Sequence, residues 1–133
     1  MKDLSKTLLC FYQGAYGPTI LINVQTKEWL EYFKKSILLL VEGVTHELQI
    51  DCLDNIAIDN LKSLKLVKVR REKYRKIVVS NNCFVWSLDI EELITVIGLI
   101  DGLLDSSGSG HQYLTDEGDN VLVKLSYKEW RKT

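Results

Sequence analysis

The sequence predicts an α+β fold: a single domain with a mainly antiparallel sheet and two principal helices. Three observations lead there. The chain has 133 residues, the size of one domain. Two segments, residues 26–42 and 89–105, carry apolar side chains at helical spacing. The remainder is short β-prone runs, most of them joined by brief turn signals, and several lie between the two helices. That order favours a sheet of about five to seven strands over alternating β-α units with a parallel sheet.

Residues 8–13 and 20–24 are β-prone and flank Gly14-Ala15-Tyr16-Gly17-Pro18, which holds two glycines and the only proline. Together they predict a hairpin. Thr26 can cap the first helix. Trp29, Leu30, Phe33, Ile37, Leu40 and Val41 fall on one face of it, and Lys27, Glu31, Lys34, Lys35 and Glu42 fall opposite. Gly43 is a natural stop. His46, Leu48, Ile50 and Cys52 then alternate with polar residues, as in a half-exposed strand. Asp54-Asn55 and Asp59-Asn60 read as turns. Residues 64–69 and 76–80 form two further strands. Asn81-Asn82 suits a tight turn at positive φ, with residues 83–86 returning antiparallel.

Asp89 is a good N-cap for the second helix, and Glu91 and Glu92 lie where the helix dipole favours acids. Leu93, Ile94, Val96, Ile97, Leu99, Ile100, Leu103 and Leu104 cover most of its circumference, so it is expected to be largely buried. The remaining stripe is Glu91, Thr95, Gly98, Gly102 and Asp105. Its two interior glycines cost roughly 1 kcal/mol each relative to Ala. They leave a smooth strip to which another backbone, from the same chain or a second one, can come close. A polar loop follows, then a final strand at residues 121–125 and a charged tail at 127–133, expected to fray. The expected core includes Trp29, Phe33, Leu40, Trp86, Leu93, Ile97, Ile100 and Leu104.

The net charge of −1 argues against wholesale nucleic-acid or membrane binding. The charges are nevertheless segregated. Residues 62–76 hold eight Lys or Arg and one acid, Glu72. Residues 77–123 hold eight acids and no Lys or Arg. The basic run is read as a solvated strand pair and turn, with a nucleic-acid interface as the alternative. Cys10, Cys52 and Cys83 are odd in number and widely spaced, so no disulfide framework or zinc site is expected, and they read as core thiols in a reducing cytosol. The N-terminal apolar run is too short for a signal peptide. No run approaches the roughly 18 residues of a membrane span. A cytoplasmic location is therefore expected.

No motif commits the chain to catalysis. The Ser/Gly loop follows a helix, whereas a phosphate cradle follows a strand and opens a helix. Ser107 or Ser109, His111 and Asp116 are nominal members of a triad. His46, His111 and Lys124 are nominal members of an acid–base set for RNA cleavage. Nothing in the sequence brings either set together. His111 and Gln112 could simply bond loop carbonyls left free by the end of the helix. The alternative is recognition by His111, Gln112 and Tyr113 beside Asp105, Asp116, Glu117 and Asp119. These seven are the candidate partner-binding residues. No catalytic residue, metal ligand or cofactor is expected.

The segments FVWSLDIEEL, GLIDGLL, SGSGHQYL and VLVKLSY resemble a pattern of short bacterial proteins and cover about the last third of the chain. Some small cytosolic proteins of this size serve as immunity proteins against delivered toxins. The resemblance implies a binding protein that docks on a basic, nuclease-like toxin domain and blocks it. The charge segregation also permits a homodimer, with the basic region of one copy on the acidic loop of the other.

Overall fold

A computed structural model describes residues 6–70, 77–105, 109–115 and 119–129. The fold is α+β, with β1 (Thr7–Gly14), β2 (Gly17–Val24), α1 (Lys27–Val41), β3 (Glu47–Gln49), β4 (Ile56–Asp59), β5 (Ser63–Lys68), β6 (Ile77–Ser80), β7 (Cys83–Leu88), α2 (Ile90–Asp105), β8 (Gly110–Tyr113) and β9 (Leu122–Tyr127). The strands form two sheets, ordered β4-β1-β2-β9-β8 and β3-β5-β7-β6. Both are mixed. The β1–β2, β3–β5, β6–β7 and β8–β9 ladders are antiparallel. The β1–β4, β2–β9 and β5–β7 ladders are parallel.

Local chemistry explains the elements that the sequence predicts well. The Thr26 side chain accepts from the Trp29 N–H and starts α1. Gly43, at φ +77°, ends it, a conformation in which a Cβ is strained. Asp89 and Glu92 form a reciprocal capping box at the start of α2: Asp89 Oδ1 accepts from the Glu92 N–H, and Glu92 Oε1 from the Asp89 N–H. Asn81 and Asn82 adopt φ values of 51° and 63° and close the β6–β7 hairpin, as expected.

Three elements differ from expectation. The strand expected across residues 46–52 is cut to Glu47–Gln49 and gives way to a single 3-10 turn, Ile50–Cys52. There Asp51 Oδ1 accepts from the Leu64 N–H and from Gln49 Nε2, a local side-chain bond that competes with the ladder. Ile56–Asp59, between the two expected turns, is a strand. It is an edge strand, tied in parallel to β1 over Thr7–Cys10. Gly110–Tyr113, expected as loop, is the other edge strand of the same sheet.

One core joins the layers. Leu9, Ile20, Ile22, Val123 and Leu125 from the first sheet meet Leu64, Leu66, Phe84 and Trp86 from the second. Phe11 and Phe84 cross between the sheets with ring centroids 5.0 Å apart. α1 contributes Trp29, Leu30, Phe33, Ile37 and Leu40, and α2 contributes Leu93, Val96, Ile100 and Leu103. Each such side chain fully buried contributes about 1.5–3 kcal/mol. Of the expected core, Trp29, Phe33, Leu40, Trp86, Leu93 and Ile100 are buried, while Ile97 and Leu104 are only partly buried against it. Cys10 is buried, Cys83 is half-buried and Cys52 is exposed, so the expectation of three core thiols holds for Cys10 alone.

Candidate functional site

The expected site residues lie on the edge strand β8, at the end of α2 and in the connections around them. Alternation along β8 divides them between two faces. Gly110 faces α2, and a Cβ on it would lie 3.4 Å from Leu103 Cδ2. Gln112 shares that face. His111 and Tyr113 occupy the opposite face, across from Ser126 and Lys124 of β9. Asp105 is exposed at the last helical position of α2. Asp119 is half-buried before β9. Asp116 and Glu117 lie outside the described residues. The fold therefore keeps His111 with Tyr113, on the face of β8 opposite the one that Gly110 turns to α2.

The surroundings of His111 are not purely acidic. Lys128, at φ +56°, turns the chain after β9 while its N–H bonds Val24 O. Glu129 is thereby brought back over the sheet. Its Oε2 lies 3.0 Å from His111 Nδ1, and its Oε1 accepts from the Ser126 hydroxyl at 2.5 Å. Partial burial pushes the Glu129 carboxyl up. The hydrogen bonds from Ser126 and His111, with the charges of His111 and Lys124, outweigh that and hold it below its ordinary value of 4.5. An ionised carboxylate only accepts, so His111 Nδ1 carries the shared proton. The His111 ring meets Tyr113 edge-on at 6.0 Å, and Lys124 Nζ stands 5.9 Å from the Tyr113 centroid. The cation that follows the acidic span in sequence is thus folded back onto the aromatic expected to anchor a basic partner. Glu129, expected in a frayed tail, replaces loop carbonyls as the partner of His111.

A carboxylate on His Nδ1 is the arrangement that orients a general base. Here the serine of the cluster, Ser126, donates to that same carboxylate rather than to His111. Ser109 is exposed ahead of β8, and Ser107 lies outside the described residues. His46 precedes β3 at the edge of the other sheet. Among the described residues, no three His, Cys, Asp or Glu side chains gather as metal ligands. No helix among them is long and apolar enough to cross a membrane.

Two lysines in the described part of the basic run are engaged within the chain. Lys65 and Lys68, three apart on β5, project from opposite faces of the strand. Lys65 pairs with Glu47 at 3.5 Å, and Lys68 Nζ donates to Val41 O at 3.3 Å. Residues 71–76 of the run lie outside the described residues.

The largest departure from expectation is on α2. Ile90 and Ile94 are 45% and 53% exposed, although the helix that carries them is expected to be largely buried. Gly98 and Gly102 are exposed, and a Cβ built on either meets no atom within 4 Å. The close intrachain packing that would explain two interior glycines is absent among the described residues. Glu91, Thr95 and Asp105 are exposed on the same side. Asp101 pairs with Lys34 of α1 at 2.6 Å. Asp105 stands at the C-terminal end of the helix, where the dipole disfavours an anion by some tenths of a kcal/mol, and no base lies in the last turn. The charge pattern and the interior glycines were legible in the sequence. The exposure of Ile90 and Ile94 was not: the stripe of Glu91, Thr95, Gly98, Gly102 and Asp105 marks the side that faces out, but apolar residues beside it do not announce that they share it. Comparison with protein-family models, curated proteins and solved structures finds no match for this chain.

Proposed function

We propose that the protein is a non-catalytic interaction module of the immunity type, which binds and blocks a cognate bacterial toxin of basic character. The observation that supports this reading is charge segregation. Eight acids and no Lys or Arg occupy residues 77–123, and from that span Glu91, beside the uncovered Ile90 and Ile94, and Asp105, at the far end of α2, are exposed. Such a surface steers a cationic partner and raises its on-rate by orders of magnitude at low salt. Further candidate contact residues are His111, Gln112 and Tyr113 on β8, with Asp116, Glu117 and Asp119 after it in sequence.

The test is co-expression with the protein encoded immediately upstream. A toxic domain there should co-purify with this chain at equal stoichiometry, and its toxicity should be suppressed. Combined reversal of Asp116, Glu117 and Asp119 should weaken the complex in a salt-dependent way. An upstream product that neither binds nor harms the cell ends the immunity reading.

A second reading rests on the Glu129–His111 pair. With Nδ1 held by the carboxylate, Nε2 of an exposed histidine is left as a base, as a small hydrolase would need. A hydrolase and nuclease screen separates the two. Activity lost in both His111→Ala and Glu129→Gln, with folding intact, would replace the interaction reading.

A further inference from the structure

We propose that His111 is a modification site, whose Nε2 accepts a phosphoryl group from an N-phosphoryl or acyl phosphate donor. This goes beyond both readings above, which leave the ring unmodified. Several features on one face of β8 and β9 support it. Glu129 Oε2 stands 3.0 Å from His111 Nδ1. An ionised carboxylate only accepts, so the ring proton sits on Nδ1 and the lone pair on Nε2. Nε2 has no hydrogen-bond partner among the described residues, and the His111 side chain is 44% exposed. Ser126, the serine of the cluster, is 4% exposed and donates to Glu129 Oε1. Its hydroxyl fixes the carboxylate, which leaves the imidazole as the nucleophile a donor can reach. Lys124 pairs with Tyr113 across the strands and shares this face. Its ammonium stands 5.9 Å from the Tyr113 centroid and makes no ion pair among the described residues.

The charges select the transferred group. An acyl group on imidazole is neutral and gains nothing from a cation. A phosphoryl group carries anionic oxygens that Lys124 can meet with charge-assisted bonds. In the transfer the Nε2 lone pair attacks phosphorus, and an N–P bond forms as the donor's own bond to phosphorus breaks. The leaving group departs with that electron pair, as ammonia from N-protonated phosphoramidate or as a carboxylate from an acyl phosphate. Nδ1 keeps its proton, so the ring gains a positive charge that lies against the Glu129 carboxylate. A carboxylate behind a histidine raises the basicity of the far nitrogen. Activation by such a neighbour is what a histidine nucleophile needs. His46, the other histidine of the chain, is the contrast. It is also exposed, but its ring makes no hydrogen bond among the described residues.

The probe is phosphoramidate, incubated with the full chain at neutral pH. Intact mass should rise by one phosphoryl group, and the adduct should be labile to acid and stable to alkali. Peptide mapping should place it on His111, with His46 labelled about tenfold more slowly or less, the size of effect an oriented carboxylate has on a ligating histidine. Glu129→Ala should slow labelling of His111 to about the His46 rate and move the ring proton to Nε2 in 15N NMR, a change that a merely structural role would not produce. Lys124→Gln should slow labelling severalfold, and Lys124→Arg should restore it. Thermal melts check that the variants are folded; if Glu129→Ala is not, the comparison of His111 with His46 in the unaltered chain still decides. Equal labelling of the two histidines, an acid-stable adduct or no adduct would overturn the inference. So would unchanged His111 labelling in folded Glu129→Ala. Hydrolysis of the donor without labelling of the chain would also overturn it, because His111 would then act as a base and not as a nucleophile.

Discussion

Replacing Gly98 and Gly102 together by alanine should stabilise the protein. Both lie inside α2, and neither has the positive φ seen at Gly17 and Gly43. The new methyl groups meet no atom within 4 Å, so no clash offsets the gain in helix propensity. Each substitution should contribute about 1 kcal/mol, partly by narrowing the unfolded ensemble. Unfolding entropy near 2.1 cal/mol/K per residue gives roughly 0.28 kcal/mol/K for a chain this long, so 1 kcal/mol moves Tm by about 3–4 °C and the pair by about 7 °C. Calorimetry, with urea denaturation as a second measure, reads the effect directly. Gly43→Ala is the opposing control: at φ +77° a Cβ is strained, and stability should fall by about 1 kcal/mol. A double variant no more stable than wild type would show that something does pack over Gly98 and Gly102, and the open face of α2 would lose its premise.

Three further expectations follow from burial and charge. Ile100→Ala, at a fully buried position, should cost about 2–5 kcal/mol in urea denaturation, whereas Ile97→Ala, only partly buried, should cost clearly less; equal losses would refute the assignment of the core face. Cys52 is exposed and its thiol is pushed up chiefly by the Asp51 carboxylate, so Asp51→Asn should shift the pH–rate profile of Cys52 alkylation to lower pH, and an unshifted profile would count against that coupling. Because Glu129 titrates lower in the folded chain than its ordinary 4.5, its contribution is fully present above that pH and fades as pH falls through the folded value. Glu129→Gln should flatten the acid limb of the stability–pH curve, and an unaltered limb would remove the His111–Glu129–Ser126 cluster as a source of stability.

The sequence by itself determined the two helices, most of their ends and the hairpins. These depend on neighbours a few residues apart: Thr26 with the Trp29 N–H, Asp89 with Glu92, and two asparagines able to hold positive φ at residues 81 and 82. It also determined that acids and bases are segregated. Tertiary structure alone decided the rest, because the remaining features depend on partners distant in the chain. Ile56–Asp59 and Gly110–Tyr113 are short and carry too few β-prone residues to announce strands, yet β1 and β9 offer them backbone partners at the sheet edges. Glu129 reaches His111 only because Lys128 turns the chain back across β9. Lys124 follows the acidic span in sequence but stands over Tyr113 in space, since cross-strand pairing joins residues by register rather than by order. On α2 the stripe of Glu91, Thr95, Gly98, Gly102 and Asp105 already marked the side that faces out. The packing of α1, β7 and β8 decided how wide that open side is, leaving Ile90 and Ile94 on it as well.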